Sequence, residues 1–232
     1  MHLRPIFVAL ALMAPVLAPG APAVAQTPPS AAEAAAYSGL HAATYAGNIP
    51  ELTRLVAAGA DLAARDGSGR TALHVAAYQS DEAALAILAG AGADMNAFDH
   101  QAYDVVTIAA VANDLPMLRR ALALGASPSN VTSPYDGTAL IAAAHLGHFE
   151  VVETLIAAGA PLDHVNNLDW TALIEAVILG DGGPDHQKTV AALLEGGADP
   201  SIGDRSGQTP LALARSRGYR EIEALLVQAG AT

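Results

Sequence analysis

The sequence predicts an all-α fold, a helical solenoid of about six stacked repeats with short β-hairpin or turn fingers between them. Three observations carry this expectation. A Thr-Ala-Leu-like motif places its leucine position at Leu40, Leu73, Val106, Leu140, Leu173 and Leu211, at steps of 33, 33, 34, 33 and 38 residues. A Gly-Ala pair recurs at Gly59, Gly92, Gly125, Gly159, Gly197 and Gly230, at steps of 33, 33, 34, 38 and 33. Two landmarks that keep one period define an internal repeat. The composition agrees: 52% of residues are hydrophobic but only 4% aromatic, with alanine dominant, which suits closely approaching helices better than a bulky β-sandwich.

Residues 1–25 are expected to be an export signal. Arg4 supplies a positive start, Ile6 to Leu17 an apolar run, and Ala23-Val24-Ala25 a small-x-small cleavage pattern before Gln26. The run is too short and too interrupted by prolines to span a bilayer, so no membrane insertion is expected after cleavage. Residues 26–33, with Pro28 and Pro29, are expected to form a linker, with helical material from about Ala31. Six repeats then follow at approximately 34–65, 66–98, 99–131, 132–165, 166–203 and 204–232.

Each repeat has one internal grammar, clearest in the second. Asp66-Gly67-Ser68-Gly69 is turn chemistry, and Thr71 is placed to cap a helix that begins Ala72-Leu73-His74. Ala76 and Ala77 leave room for a neighbouring helix. The helix is expected to end near Ser80, with Gly47, Asn113, Gly147, Gly180 and Gly218 as left-handed caps at the equivalent places. A second helix carries Leu85 and Leu88 and stops at Gly92. Its counterparts carry Leu52 and Leu55, Leu118 and Leu122, Val152 and Leu155, Val190 and Leu193, and Ile222 and Leu225. Pro50 and Pro116 fall in the first turns of second helices, where a missing N–H is harmless.

Turn, helix, turn, helix and Gly-Ala stop at a 33-residue period resembles the ankyrin repeat, as found in exported bacterial ankyrin repeat proteins. The residues that carry the resemblance are Thr71 to Ala77, Gly137-Thr138-Ala139-Leu140, Thr171-Ala172-Leu173, Thr209-Pro210-Leu211, and the Gly-Ala-Asp at 92–94 and 197–199. Only His41 and His74 keep the motif histidine. Thr107, Ile141, Ile174 and Ala212 replace it. Asp104-Val105-Val106 is the least regular motif, so a loose helix start is expected there. The fifth repeat carries five extra residues, expected in the loop from Leu179 to His186, with Asp185 capping the second helix.

The resemblance implies binding of another protein through the hairpin tips and the concave face made by the first helices. The position before the motif threonine holds Arg70, Tyr103, Gly137, Trp170 and Gln208, and Tyr78 ends a first helix. Trp, Tyr and Arg are the side chains that most often anchor interfaces. The expected contact stripe is therefore Arg70, Tyr78, Tyr103, Tyr135 and Trp170. An alternative is a metal or small-ligand site on the Gly-rich loop, where Asp181, Asp185 and His186 supply oxygen and nitrogen donors.

Other classes find no support. No Ser-His-Asp grouping, Walker loop or Gly-x-Ser-x-Gly is present, and Gly180 to Gly183 lacks the lysine of a phosphate loop. Loss of Arg4 leaves 10 basic against 23 acidic residues, a net charge of −13, which disfavours nucleic acid and anionic membrane. There is no cysteine, so an exported chain must rely on packing. The expectation is a monomeric, non-catalytic, cofactor-free interaction module of the periplasm, or secreted, with an unidentified protein partner.

Overall fold

The computed structural model describes residues 27–232, and the expected export signal over 1–25 lies outside the described residues. The short helix α1 (Ala31–Ala35) precedes six helix pairs: α2 (Gly39–Tyr45) with α3 (Ile49–Ala57), α4 (Ala72–Tyr78) with α5 (Glu82–Gly90), α6 (Val105–Val111) with α7 (Leu115–Ala123), α8 (Ala139–Leu146) with α9 (Phe149–Ala157), α10 (Ala172–Ile178) with α11 (Pro184–Glu195), and α12 (Pro210–Arg217) with α13 (Arg220–Gln228). First helices stack on first helices and second on second, giving two parallel layers.

Helices of seven to nine residues are marginal by themselves, so stacking must hold them. The alanines make that stacking close: Ala76, Ala109, Ala110, Ala143, Ala144 and Ala176 are all fully buried between first helices. The expected leucine stripes of the second helices face the same core, with Leu52, Leu85, Leu88, Leu118, Leu155 and Leu193 without exposure.

Caps set the boundaries. Thr138, Thr171 and Thr209 accept from the backbone N–H three residues on. The irregular third repeat is not loose, contrary to expectation. Asp104 Oδ1 accepts from Thr107 N at 2.8 Å, and Asn130 Nδ2 donates to its other oxygen at 2.8 Å. A carboxylate thus replaces the hydroxyl cap. First helices turn out through positive φ at Gly47, Ser80, Asn113, Gly147 and Gly218. Gly180 does not join them. In that repeat the left-handed residue is Gly182, at φ 72°.

The insertion explains the shift. Instead of leaving all five extra residues in a loop, the chain starts α11 at Pro184, so that helix has 12 residues where its counterparts have nine. Gly183 is the N-cap, and Asp185 lies inside the first turn rather than capping it.

The fingers are turns more than strands. Among the described residues, Thr132–Gly137 is an isolated antiparallel bridge. The others close as Asx turns: Asp66 N donates to Arg70 O, and Asp66 Oδ1 accepts from Ser68 N and Arg70 N. Asp99, Asn166 and Asp204 repeat this pattern. Successive fingers are joined by backbone bonds: His100 N to Ser68 O, Ser133 N to Ala102 O, and Asn167 N to Tyr135 O.

Candidate protein-binding surface

The fingers and the exposed side of the first-helix layer carry the residues expected to bind a partner. Burial divides them. Arg70 is 4% exposed and Tyr103 6% exposed. Tyr78 and Trp170 are half-buried against the core, and Tyr135 is exposed at 42%. Arg70 and Tyr103 therefore do not present themselves to a partner, which corrects the expected stripe.

The reason for Arg70 is chemical. Its Nη1 lies 3.1 Å from Glu33 Oε1 and 3.2 Å from Asp66 Oδ2, and its Nη2 donates to Thr27 O at 2.9 Å. The guanidinium also sits 5.8 Å from the centre of the Tyr78 ring. A charge can be buried when it is paired and hydrogen-bonded in this way. Hydrogen bonds from Ser30 and Ser68, with the guanidinium nearby, lower the Glu33 carboxyl to about 2. Desolvation, with the Tyr37 hydroxyl donating to Asp66 at 2.7 Å, raises that phenol to about 12.

Tyr103, also buried, is tied to the second repeat through its main chain. Its carbonyl accepts from His74 Nε2 at 3.1 Å, while His74 Nδ1 accepts from Thr71 N at 3.1 Å. His41 Nε2 reaches Arg70 O in the same way at 2.8 Å. The motif histidine thus ties its own turn to the next repeat. Burial pushes the His74 pKa below its usual value. Where threonine replaces histidine, Thr107 Oγ1 stands 3.1 Å from Thr132 Oγ1 and makes the corresponding link.

The insertion does not assemble the alternative metal site. His186 Nε2 donates to His145 O at 3.0 Å and Nδ1 lies 3.0 Å from Asp181 Oδ1, whereas Asp185 faces Lys188 at 3.6 Å. Among the described residues no three His, Asp or Glu side chains converge. The segment is instead a brace. The His186 ring covers Gly147 and Gly180, and Tyr219 lays its ring on Gly182 and donates its hydroxyl to Gly180 O at 2.9 Å.

Sequence reasoning missed two features. Glu175 is a buried carboxylate at a position where other first helices carry Val75 and Ile108. Its Oε1 accepts from Asn166 Nδ2 at 2.8 Å, and its Oε2 lies 3.4 Å from His145 Nδ1. The second is an exposed apolar ridge of Phe98, Val131 and Val165, each 39–46% exposed, on three successive fingers. They share one register, immediately before Asp99, Thr132 and Asn166, so the repeat alignment itself held the signal. Tyr135 and Leu168 extend the ridge, and Leu146 and Leu179 are exposed at the ends of α8 and α10.

Comparison with known proteins agrees with this geometry. Ankyrin-repeat family models match residues 40–89 and 106–204. An ankyrin repeat domain from Acinetobacter baumannii AYE superposes with a TM-score of 0.79 at 47% identity, covering 83% of this chain and 98% of that one. The chain belongs to the ankyrin repeat family. It is also 42% identical over 112 residues to the ankyrin repeat protein YahD of Escherichia coli K12, a match that spans 47% of this chain and 56% of YahD. The ankyrin domain of Bcl-3, a member of the IkappaB family, superposes with a TM-score of 0.75 at 30% identity, over 85% of this chain and 88% of that domain. Ankyrin repeats are in general protein–protein interaction modules and non-enzymatic scaffolds. Among the described residues no helix is long and apolar enough to cross a membrane.

Proposed function

We propose that this ankyrin repeat protein is a non-catalytic binding module, exported to the periplasm or secreted after cleavage near Ala25. It holds a partner protein on its finger ridge and the adjoining ends of the first helices. The observation that carries this reading is the exposure of Phe98, Val131, Val165, Tyr135 and Leu168 on three successive fingers. Large apolar side chains gathered on one surface mark interaction sites more often than those scattered singly. Export is supported by the sequence of residues 1–25.

Capture from periplasmic extract on immobilised mature protein tests the binding. A partner enriched by the unaltered chain and lost by Tyr135→Ala/Leu168→Ala supports the ridge. Equal enrichment by both, or none by either, sinks it. Export is tested separately by N-terminal sequencing of the fractionated protein: an intact Met1 in the cytosol overturns that part.

A further inference from the structure

The residues before the first repeat do not trail away from the solenoid. They cross onto the first-helix face and reach the third repeat. Pro29 is buried, and Pro28 forms one wall of a cleft of about 240 Å³ whose other walls are Ala77, Tyr78 and Ser80 from the second repeat and Ile108, Val111 and Ala112 from the third. Behind the prolines, Ser30 caps α1, and Glu33 turns back to accept from Ser68 Oγ at 2.9 Å and to pair with Arg70. The Thr27 carbonyl takes the other arm of the same guanidinium.

Arg70 is unusual for its register. The equivalent residues are Tyr103, Gly137, Trp170 and Gln208, none of them charged. Glu33 and the Thr27 carbonyl, both from residues 27–33, hydrogen-bond its guanidinium, as does Asp66 from its own finger. A guanidinium offers a planar fork suited to one carboxylate and one carbonyl together. Consecutive prolines pre-set an extended backbone with no internal hydrogen bonds, so little order is lost on docking. This is the way a groove binds a peptide, except that the peptide here is joined to the protein.

We propose that residues 27–33 are an internal ligand that closes the Arg70–Tyr78–Val111 end of the first-helix face. A segment extended through its prolines that then turns into a short helix, with a carboxylate four or five residues after the prolines, is the class of ligand this end recognises, and it enters only when the arm leaves. The finger ridge of repeats three to five stays open while the arm is docked. The inference adds regulation to the first-helix face described under the proposed function and rests on that reading.

The test uses the full mature chain and a fluorescein-labelled peptide of residues 26–36, with binding read by polarisation. A tethered arm competes at an effective concentration in the millimolar range, so the unaltered chain should bind the free peptide poorly. Opening the arm by Pro28→Gly, Pro29→Gly and Glu33→Gln together should tighten peptide binding by about tenfold or more. Equal binding by both chains, or none by the opened one, overturns the proposal. If the triple variant loses helical signal, Glu33→Gln alone is read by the same criterion, because it loosens the arm and leaves the receiving residues Ser68 and Arg70 unchanged. The outcome separates from partner capture: peptide binding without a captured partner sinks the ridge and leaves the internal ligand standing.

Discussion

The imidazole of His74 joins two repeats, with Nδ1 accepting from Thr71 N and Nε2 donating to the Tyr103 carbonyl, 29 residues further along the chain. The two bonds define one neutral tautomer, protonated on Nε2. The side chain has no exposure, so neither bond can be exchanged for water.

His74→Ala should therefore cost about 2–4 kcal/mol, combining the lost side-chain volume with the loss of both hydrogen bonds and a buried Thr71 N–H deprived of its acceptor. Urea unfolding measures it. A loss under about 0.5 kcal/mol, the range of a surface change, contradicts this role.

The same residue gives the fold a pH dependence. Burial lowers the folded-state pKa of His74 below the 6.5 of the free side chain. The unfolded chain thus takes up a proton more readily than the folded one as pH falls. Stability should be complete above about pH 6.5 and decline below it. A His74→Asn chain should show a shallower decline over that range in urea midpoints. Identical profiles would exclude His74 as the source.

Glycines in the insertion should be less replaceable than those that end second helices. A Cβ on Gly180 would stand 2.1 Å from Ala176 O and 2.6 Å from the His186 ring. A Cβ on Gly59 meets nothing within 4 Å, although its φ is 77°. Gly59→Ala should cost about 1 kcal/mol for the left-handed backbone. Gly180→Ala should cost about 3 kcal/mol or more, as a buried overpacking does. Thermal melts of the two variants rank them, and the reverse order would mean that the brace yields.

Tyr135→Ala and Leu168→Ala should each leave stability within about 0.5 kcal/mol, since both side chains project from the fingers. Calorimetry of the double variant measures this directly. A substantial loss would mark the two as packing residues and remove them from the binding surface.

Much of the architecture is legible in the sequence because each repeat carries its own punctuation. Thr138 and Thr171 cap where a threonine precedes Ala-Leu, and the landmark glycines Gly59, Gly92, Gly125, Gly159, Gly197 and Gly230 take a positive φ. The candidate surface is less legible because burial depends on distant residues. Arg70 looks like an exposed fingertip until Glu33 and Thr27, 37 and 43 residues earlier, arrive to cover it. Tyr103 is buried too, in a finger whose main chain is joined to His74 of the preceding repeat. The insertion was visible as five residues, yet their conversion into three more residues of α11 depends on His186 and Tyr219 finding Gly147, Gly180 and Gly182. No spacing rule contains those contacts.

The fingers hold one another through main-chain atoms: His100 N on Ser68 O, Ser133 N on Ala102 O, Asn167 N on Tyr135 O. A bond of that kind is indifferent to the identity of the side chain beside it. Phe98, Val131 and Val165 can thus be exchanged while the scaffold beneath them keeps its shape. Recognition in this molecule is written in replaceable letters on a fixed line, and a new partner calls for new side chains at those places rather than for a new fold.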